Sequence, residues 1–310
     1  MEVINGSSNF HIAGRQTAIG LGNFDGLHAG HMVLINTLIE ESRLNGYVPV
    51  VYTFTKHTEN ILRKGLFIPL LTTISKKISL LEETRLDYLC FDEFDETYSR
   101  IEPEDFVKDI LLKRFNMKLA VTGFNYRFGY KGTGDVDLLN KLGLKYGFKV
   151  ITIPPVKIDD EIVSSTLIRN YVRKGDMEKV TTLLGRQYSL SGIVQRGRNV
   201  GKKLGFPTAN IYPENGLAVP DNGVYITKTS IDGEFCDSIT NVGNNPTFSD
   251  NNKISVETHI LDFDRDIYDK YIEVFFIKKI RPEKKFESVS GLIEQISTDI
   301  KKAQEYIQIK

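Results

Sequence analysis

TAIGLGNFDGLHAGH, residues 17–31, passes from a short apolar run through a turn rich in glycine and histidine into a segment with helical spacing. TAIGLG reads as a buried strand, and Met32 to Leu44 carries Val33, Leu34, Leu38 and Ile39 on one helix face. Between them, Gly22 and Gly26 permit tight or positive-φ backbone, and Gly30 lets a ligand approach the main chain where the helix begins. A helix start offers N–H groups and a partial positive charge, which suits a phosphate. His28 and His31 flank Gly30, so both imidazoles can reach oxygens of a phosphate chain bound there. No cysteine or acidic cluster with ligand spacing completes a zinc site around them. Taken alone, a glycine-rich loop with two solvated histidines explains the same residues.

Outward from this turn the pattern alternates. VPVVYTF, DYLCF, KLAVTG and FKVITI read as strands, and a helix opens at Pro103 with Phe106, Val107, Ile110 and Leu111 on one face. Two more helical stretches lie at Leu167 to Val172 and Glu178 to Leu184. Strands alternating with helices predict a doubly wound parallel sheet, whose ligands bind at the carboxyl ends of the strands. Past Gly185 the segments YSLSGIV, GVYITKTSI, SITNVG, ISVETHIL and YIEVFFIKKI predict a small antiparallel β-barrel. A last helix is expected from about Ser288 to Ile307, with Leu292, Ile293, Ile296 and Ile300 spaced to pack on the barrel. The expected domains are 1–185 and 186–310.

Lysine plus arginine and aspartate plus glutamate number 40 each, so the net charge is zero and no overall field draws nucleic acid or anionic membrane. An anionic ligand must be held by local groups. No apolar run approaches the roughly 20 residues that span a bilayer. Cys90 and Cys236 lie far apart, and no basic segment followed by an apolar one opens the chain. A reduced, cytoplasmic protein is expected, a monomer or weak homo-oligomer without nucleic-acid or membrane partners.

The whole string GNFDGLHAGH, set between strand and helix, resembles the motif of the HxGH nucleotidyltransferase superfamily, with its Rossmann-like fold, and specifically the flavin-nucleotide branch. VTGFNYRFGYKGTGD at 121–135 resembles the nucleotide and flavin loop of that branch, and VSSTLIR at 163–169 its second phosphate motif. In the latter, Ser164, Ser165 and Thr166 read as an N-cap cluster, with Arg169 a turn further on. GIVQRGRNVGKKLGFPTANI at 192–211 resembles the phosphate loop and P-T-A-N motif of the riboflavin kinase family, and GVY, NVGNNPTF, VETHIL and IRPEKKF follow in that family's order. From about residue 17 onward the chain is thus similar to bacterial bifunctional riboflavin kinase/FAD synthetases.

The resemblance implies two ATP-dependent reactions with magnesium, riboflavin to FMN in the C-terminal half and FMN to FAD in the N-terminal half. In the second, the FMN phosphate is already an anionic nucleophile, so positioning and charge neutralisation suffice. Gly22, Asn23, Phe24, Asp25, Gly26, Gly30, Ser164, Ser165 and Thr166 are then the nucleotide-binding candidates, with His28, His31 and Arg169 assisting the transfer and Asp25 structural or in contact with ligand hydroxyls. Phosphorylating riboflavin starts from a neutral alcohol and needs a base. Glu257 matches the family's base, and Thr208 and Asn210 its magnesium pair. Gly197, Gly201, Lys203 and Gly205, with Arg196, Arg198 and Lys202, match its phosphate loop. His57, Phe124, Asn125 and Arg281 are candidate flavin contacts.

Two departures fall in the first half. FTKHTEN stands where the family has F-x-P-H-P, so Lys56 and Thr58 replace two prolines that would fix φ, and a looser turn is expected. Asn125 stands where an acidic residue is common. A riboflavin kinase whose N-terminal half binds without turnover, a flavin-responsive regulator, and a nucleic-acid-binding module on the barrel remain open at this level.

Overall fold

The computed structural model describes every residue except 13, 57, 63–66, 198–199, 245–253 and 310. Chain packing divides it into two compact units, Met1–Ser165 and Thr166–Lys310.

The first unit runs β1 (Glu2–Asn5), β2 (Thr17–Leu21), α1 (Ala29–Asn45), β3 (Val48–Phe54), α2 (Thr58–Leu62), α3 (Ile74–Glu82), β4 (Tyr88–Asp92), α4 (Pro103–Asp105), β5 (Met117–Gly123), α5 (Val136–Tyr146) and β6 (Lys149–Ile153), then β7 (Lys157–Ile158) and β8 (Glu161–Ile162), which form a small hairpin. β1 to β6 make one parallel sheet in the order β1-β4-β3-β2-β5-β6. Both faces are covered, so β2 is buried along its whole length. Ile19 and Leu21 point into one core with Phe106, Phe115 and Leu139, and Ala18 into the other with Leu34, Ile35, Leu38 and Leu81. Gly20 lets α1 lie close on the sheet, because a Cβ there would come within 3.0 Å of Leu38. The helix read at Pro103 begins as α4 and widens into π-type turns over Phe106–Leu112. β1, α3 and α5 were not expected from the sequence.

The sheet grows outward from β2 through β3 in one direction and through β5 in the other. The crevice beyond the carboxyl ends of β2 and β5 is therefore the topological switch point, where open α/β sheets bind ligands.

The second unit contains α6 (Ser165–Lys174) from Thr166 onward, α7 (Met177–Leu184), β9 (Tyr188–Ile193), α8 (Val200–Lys203), β10 (Ala209–Ile211), β11 (Gly223–Ile231), β12 (Glu234–Asn244), β13 (Ile254–Ile260), β14 (Tyr271–Arg281) and α9 (Val289–Ile309). The six strands pair antiparallel in the order β10-β13-β12-β11-β14-β9, and a bridge between Gln195 and Asn210 joins the two ends into a barrel. α7 ends at Gly185, which adopts φ +73° as its C-cap. It packs on β9 and β14, and Glu178 pairs with Lys278 at 3.1 Å. The packing division thus falls earlier in the chain than the change of pattern at Gly185.

Inside the barrel, Thr227, Thr229, Ser238, Thr240 and Thr258 are fully buried and satisfy one another through hydroxyl bonds of 2.8–2.9 Å. The alternate residues Ile226 and Ile239 pack with Ile296, Ile300 and Ala303 of α9. Arg281 fixes this helix: its Nε donates to the Asp299 carboxylate at 2.9 Å, Asp299 is 1% exposed, and Gln295 donates to the other carboxylate oxygen at 2.9 Å. No helix among the described residues is long and apolar enough to cross a membrane. Replacing Asp299 by alanine leaves the guanidinium without its buried partner and should cost the second unit about 3 kcal/mol. A denaturant midpoint within error of the parent would contradict that weight.

Candidate functional site

The loop after β2 is held in a costly conformation. Gly26 has φ +84°, but the other two left-handed residues are Phe24 at +48° and Leu27 at +42°. Gly22 is not left-handed; it is close-packed instead, since a Cβ there would meet the Phe24 ring at 3.3 Å. Each left-handed non-glycine residue costs about 1–2 kcal/mol. Phe24 and Leu27 are 0% and 1% exposed in the core beneath α1. Burying side chains of this size contributes about 1.5–3 kcal/mol each, so burial outweighs the backbone strain.

Polar groups complete the anchoring. The Asp25 carboxylate, 3% exposed, accepts from the backbone N–H of Leu71 at 2.8 Å and of Thr72 at 3.3 Å, and Gly26 N–H donates to the Thr72 hydroxyl. Ser165 donates its hydroxyl to the Asp25 carbonyl at 2.9 Å, joining the second phosphate motif to the first. The Asn23 carbonyl accepts from Thr53 Oγ1 at 3.1 Å and from Lys77 Nζ at 2.8 Å. Burial lowers the Lys77 ammonium to about 8, with the charge of Asp25 opposing the shift. Lys77 was not singled out from the sequence.

His28 is the N-cap of α1, its Nδ1 accepting from His31 N–H at 3.3 Å. That acceptor role puts the ring proton on Nε2. The His28 and His31 rings stack with centroids 3.6 Å apart, and Gly30 is needed beside them because its Cβ would lie 3.3 Å from the His28 ring. The two histidines are a capped, stacked pair.

Where the family has its second turn proline, Thr58 accepts from the Asn23 side-chain amide at 3.2 Å, and Lys56 pairs with Glu93 at 3.2 Å on the surface. His57 lies outside the described residues. Phe124 and Asn125, just past β5, are exposed. Beyond β3 and β4 the sequence reading missed a cluster of Phe54, Phe94 and Tyr98 with ring centroids 5.1–5.6 Å apart. Tyr98 also meets Tyr52, which donates to Asp92 at 2.5 Å, and burial raises both phenols. Ser164 precedes α6, Thr166 is exposed on it, and Arg169 on the same helix is buried and belongs to the second unit.

In the second unit, the register pairs Asn210 on β10 with Glu257 on β13, and Glu257 with Asn241 on β12. These residues share one face of the sheet, opposite the buried Thr240 and Thr258. The Asn210 side chain is 8% exposed and donates its amide N–H to the Thr208 carbonyl at 3.2 Å. The glycine-rich loop closes on this pair. A Cβ on Gly197 would lie 2.6 Å from the Asn210 amide nitrogen, and one on Gly201 would lie 2.4 Å from the Phe206 carbonyl. Gly205 adopts φ +89°, and Lys203 is exposed at the end of α8. His259, two residues after Glu257, makes a 2.8 Å hydrogen bond with the Pro207 carbonyl, a contact the sequence did not reveal. Arg281 commits Nε to Asp299 and Nη1 to the Pro282 carbonyl at 3.1 Å. Among the described residues, no group of three or more histidine, cysteine or acidic side chains is placed to hold a metal.

The FAD synthetase family matches residues 11–167 and the riboflavin kinase family residues 184–307. A protein of Buchnera aphidicola subsp. Schizaphis graminum is 36% identical over the full length of both chains. One from Bacillus subtilis is 32% identical, covering 94% of this chain and 92% of its own, and one from Escherichia coli K12 is 32% identical, covering 99% and 98%. All three bear the name bifunctional riboflavin kinase/FMN adenylyltransferase. A crystal structure from Streptococcus pneumoniae, described as a macrolide-efflux protein, superposes with a TM-score of 0.89 at 27% identity over 97% of this chain and 98% of that one.

Gly197→Ala should push the Asn210 amide aside and weaken nucleotide binding to the second unit about tenfold, with an unchanged denaturant midpoint. Isothermal titration reads this, and parental affinity would mean that the close approach has no bearing on the ligand.

Proposed function

The chain belongs to the family of bifunctional riboflavin kinases and FMN adenylyltransferases, and from that premise we propose how its residues carry out the two reactions. It uses ATP twice, to phosphorylate riboflavin to FMN and to adenylate FMN to FAD with release of pyrophosphate. We assign residues 1–185 to the adenylyltransferase and 186–310 to the kinase. This functional division follows the change of sequence pattern at Gly185 and differs from the packing division.

For adenylyl transfer, the turn from Gly22 to Gly30 and the start of α1 receive the ATP phosphates. His28 and His31 neutralise charge as the FMN phosphate attacks the α-phosphorus and pyrophosphate leaves, and Arg169 is assigned to the same reaction by the motif it belongs to. Asn23, Ser164, Ser165 and Thr166 complete the donors, and Asp25 acts by holding the loop. His57, Phe124 and Asn125 remain flavin candidates, and the Phe54, Phe94 and Tyr98 rings offer a separate apolar surface. Arg281, which fixes α9 through Asp299, remains a candidate flavin contact of the kinase half.

For the kinase, Glu257 takes the proton of the riboflavin hydroxyl as that oxygen attacks the γ-phosphorus and ADP leaves. Magnesium fits Thr208 and Asn210, whose hydroxyl and amide oxygens are hard donors, and the missing Cβ at Gly197 leaves room beside the Asn210 amide. When bound, the ion neutralises the crowded ATP phosphates. Gly201, Lys203 and Gly205 shape the loop around them. One observation carries the reading: each unit sets a glycine-shaped loop against its own chemical groups, His28 and His31 in the first, Asn210 and Glu257 in the second. The absence of net charge supports an enzyme without nucleic-acid or membrane partners, and two free cysteines fit a reducing, cytoplasmic setting for a monomer or weak homo-oligomer.

Purified protein given riboflavin, excess ATP and magnesium, in air and under reductant, should accumulate FAD. Glu257→Gln should lower FMN formation at least 100-fold while supplied FMN is still converted to FAD. His31→Ala should let FMN accumulate, with FAD formation reduced about 10- to 100-fold. FMN without FAD from the parent protein in either condition would overturn the adenylyltransferase half.

A further inference from the structure

Lys77 is a buried cation that neither reaction scheme uses. It lies on α3, is 7% exposed, and lines a pocket with Asn23, Asp25, Lys56 and Thr72. Lysine is almost never buried unless its charge is answered. Here the answer comes from the Asn23 carbonyl at 2.8 Å, the charge of Asp25, and the face of Phe91 with its centroid 5.9 Å away. Packing alone does not call for it, since replacing a buried ion by an apolar side chain of similar volume is often neutral or stabilising.

The contact it makes has a directional effect. The described residues contain no cis peptide, so the C=O of Asn23 and the N–H of Phe24 point in opposite directions across a trans peptide. Drawing the carbonyl inward with Lys77 and Thr53 turns that N–H outward, from a residue held at φ +48° in the turn that precedes α1.

We infer that Lys77 is a positioning residue for adenylyl transfer: its ammonium holds the Asn23 carbonyl from beneath, so that the Asn23–Phe24 peptide presents its N–H to the ATP phosphates. This rests on the adenylyltransferase reading of the first unit. Its charge also adds a fixed positive potential under the loop, which only a protonated lysine supplies.

Two measurements test it on the full-length protein, with riboflavin phosphorylation in the same samples as internal reference. In the first, Lys77→Met should lower kcat for FMN adenylylation 10- to 100-fold at pH 7.5, with KM for FMN within threefold and the kinase rate unchanged. In the second, the parent's adenylylation rate should fall as the pH rises through about 8, where Lys77 loses its proton, and this alkaline limb should be missing from Lys77→Met. The other charged groups facing Lys77 in the pocket are Asp25 from the loop and Lys56, paired with Glu93, from the turn after β3. Full turnover in Lys77→Met, an alkaline limb shared by both proteins, or a parental profile flat through pH 8 would each overturn the assignment. If Lys77→Met does not fold, the parental profile decides. A parent that makes no FAD contradicts the adenylyltransferase reading itself, whereas a parent and variant that make it equally contradict only the role of Lys77.

Discussion

A turn held in left-handed backbone at the end of a buried strand must satisfy its carbonyls and carboxylates within the fold. In the first unit that constraint falls on the segment from Asn23 to Leu27. The Asn23 carbonyl is taken by Thr53 and Lys77, and the Asp25 carboxylate by the backbone at Leu71 and Thr72. Phe24 and Leu27 are driven into the core at the expense of left-handed backbone. β3, α3 and the start of α6 all contribute a group to this one turn, which places it at the sheet's switch point and gives α1 its N-terminus.

The second unit meets the same demand by removing side chains. Gly197 and Gly201 let the loop lie against Asn210 and the Phe206 carbonyl at distances that a Cβ would forbid. The antiparallel register then sets Glu257 beside Asn210 without any loop of its own. On that same outer face, Arg281 and Asp299 hold α9 against the barrel.

The sequence revealed most where burial is continuous. β2 and β3 are mostly apolar and almost wholly buried because both faces of a parallel sheet are covered, and the alternating runs after Gly185 betray a barrel with one face in the core. β1 has only four residues, too few for a period to show. α3 escaped because its buried face includes a lysine, so charge interrupts the helical pattern at the residue that matters most to the loop. Gly26 takes the positive φ expected of it, but Phe24 and Leu27 take it too, since tertiary burial outweighs a local preference. His28 caps a helix that begins before Met32, a role that Ser, Thr, Asp and Asn usually fill. The pairing of Asn210 with Glu257 spans 47 residues (257 − 210) and has no local signature. The candidate site residues stood out as motifs, and the groups that hold them in place did not.

On the proposed assignment of residues, each half of the chain should work when the other is disabled. The direct test mixes Glu257→Gln with His31→Ala, neither of which alone should turn riboflavin efficiently into FAD. Given riboflavin, ATP and magnesium, the mixture should restore FAD formation, because FMN made by the second protein is adenylated by the first. A mixture that produces no more FAD than either variant alone would contradict two self-sufficient sites.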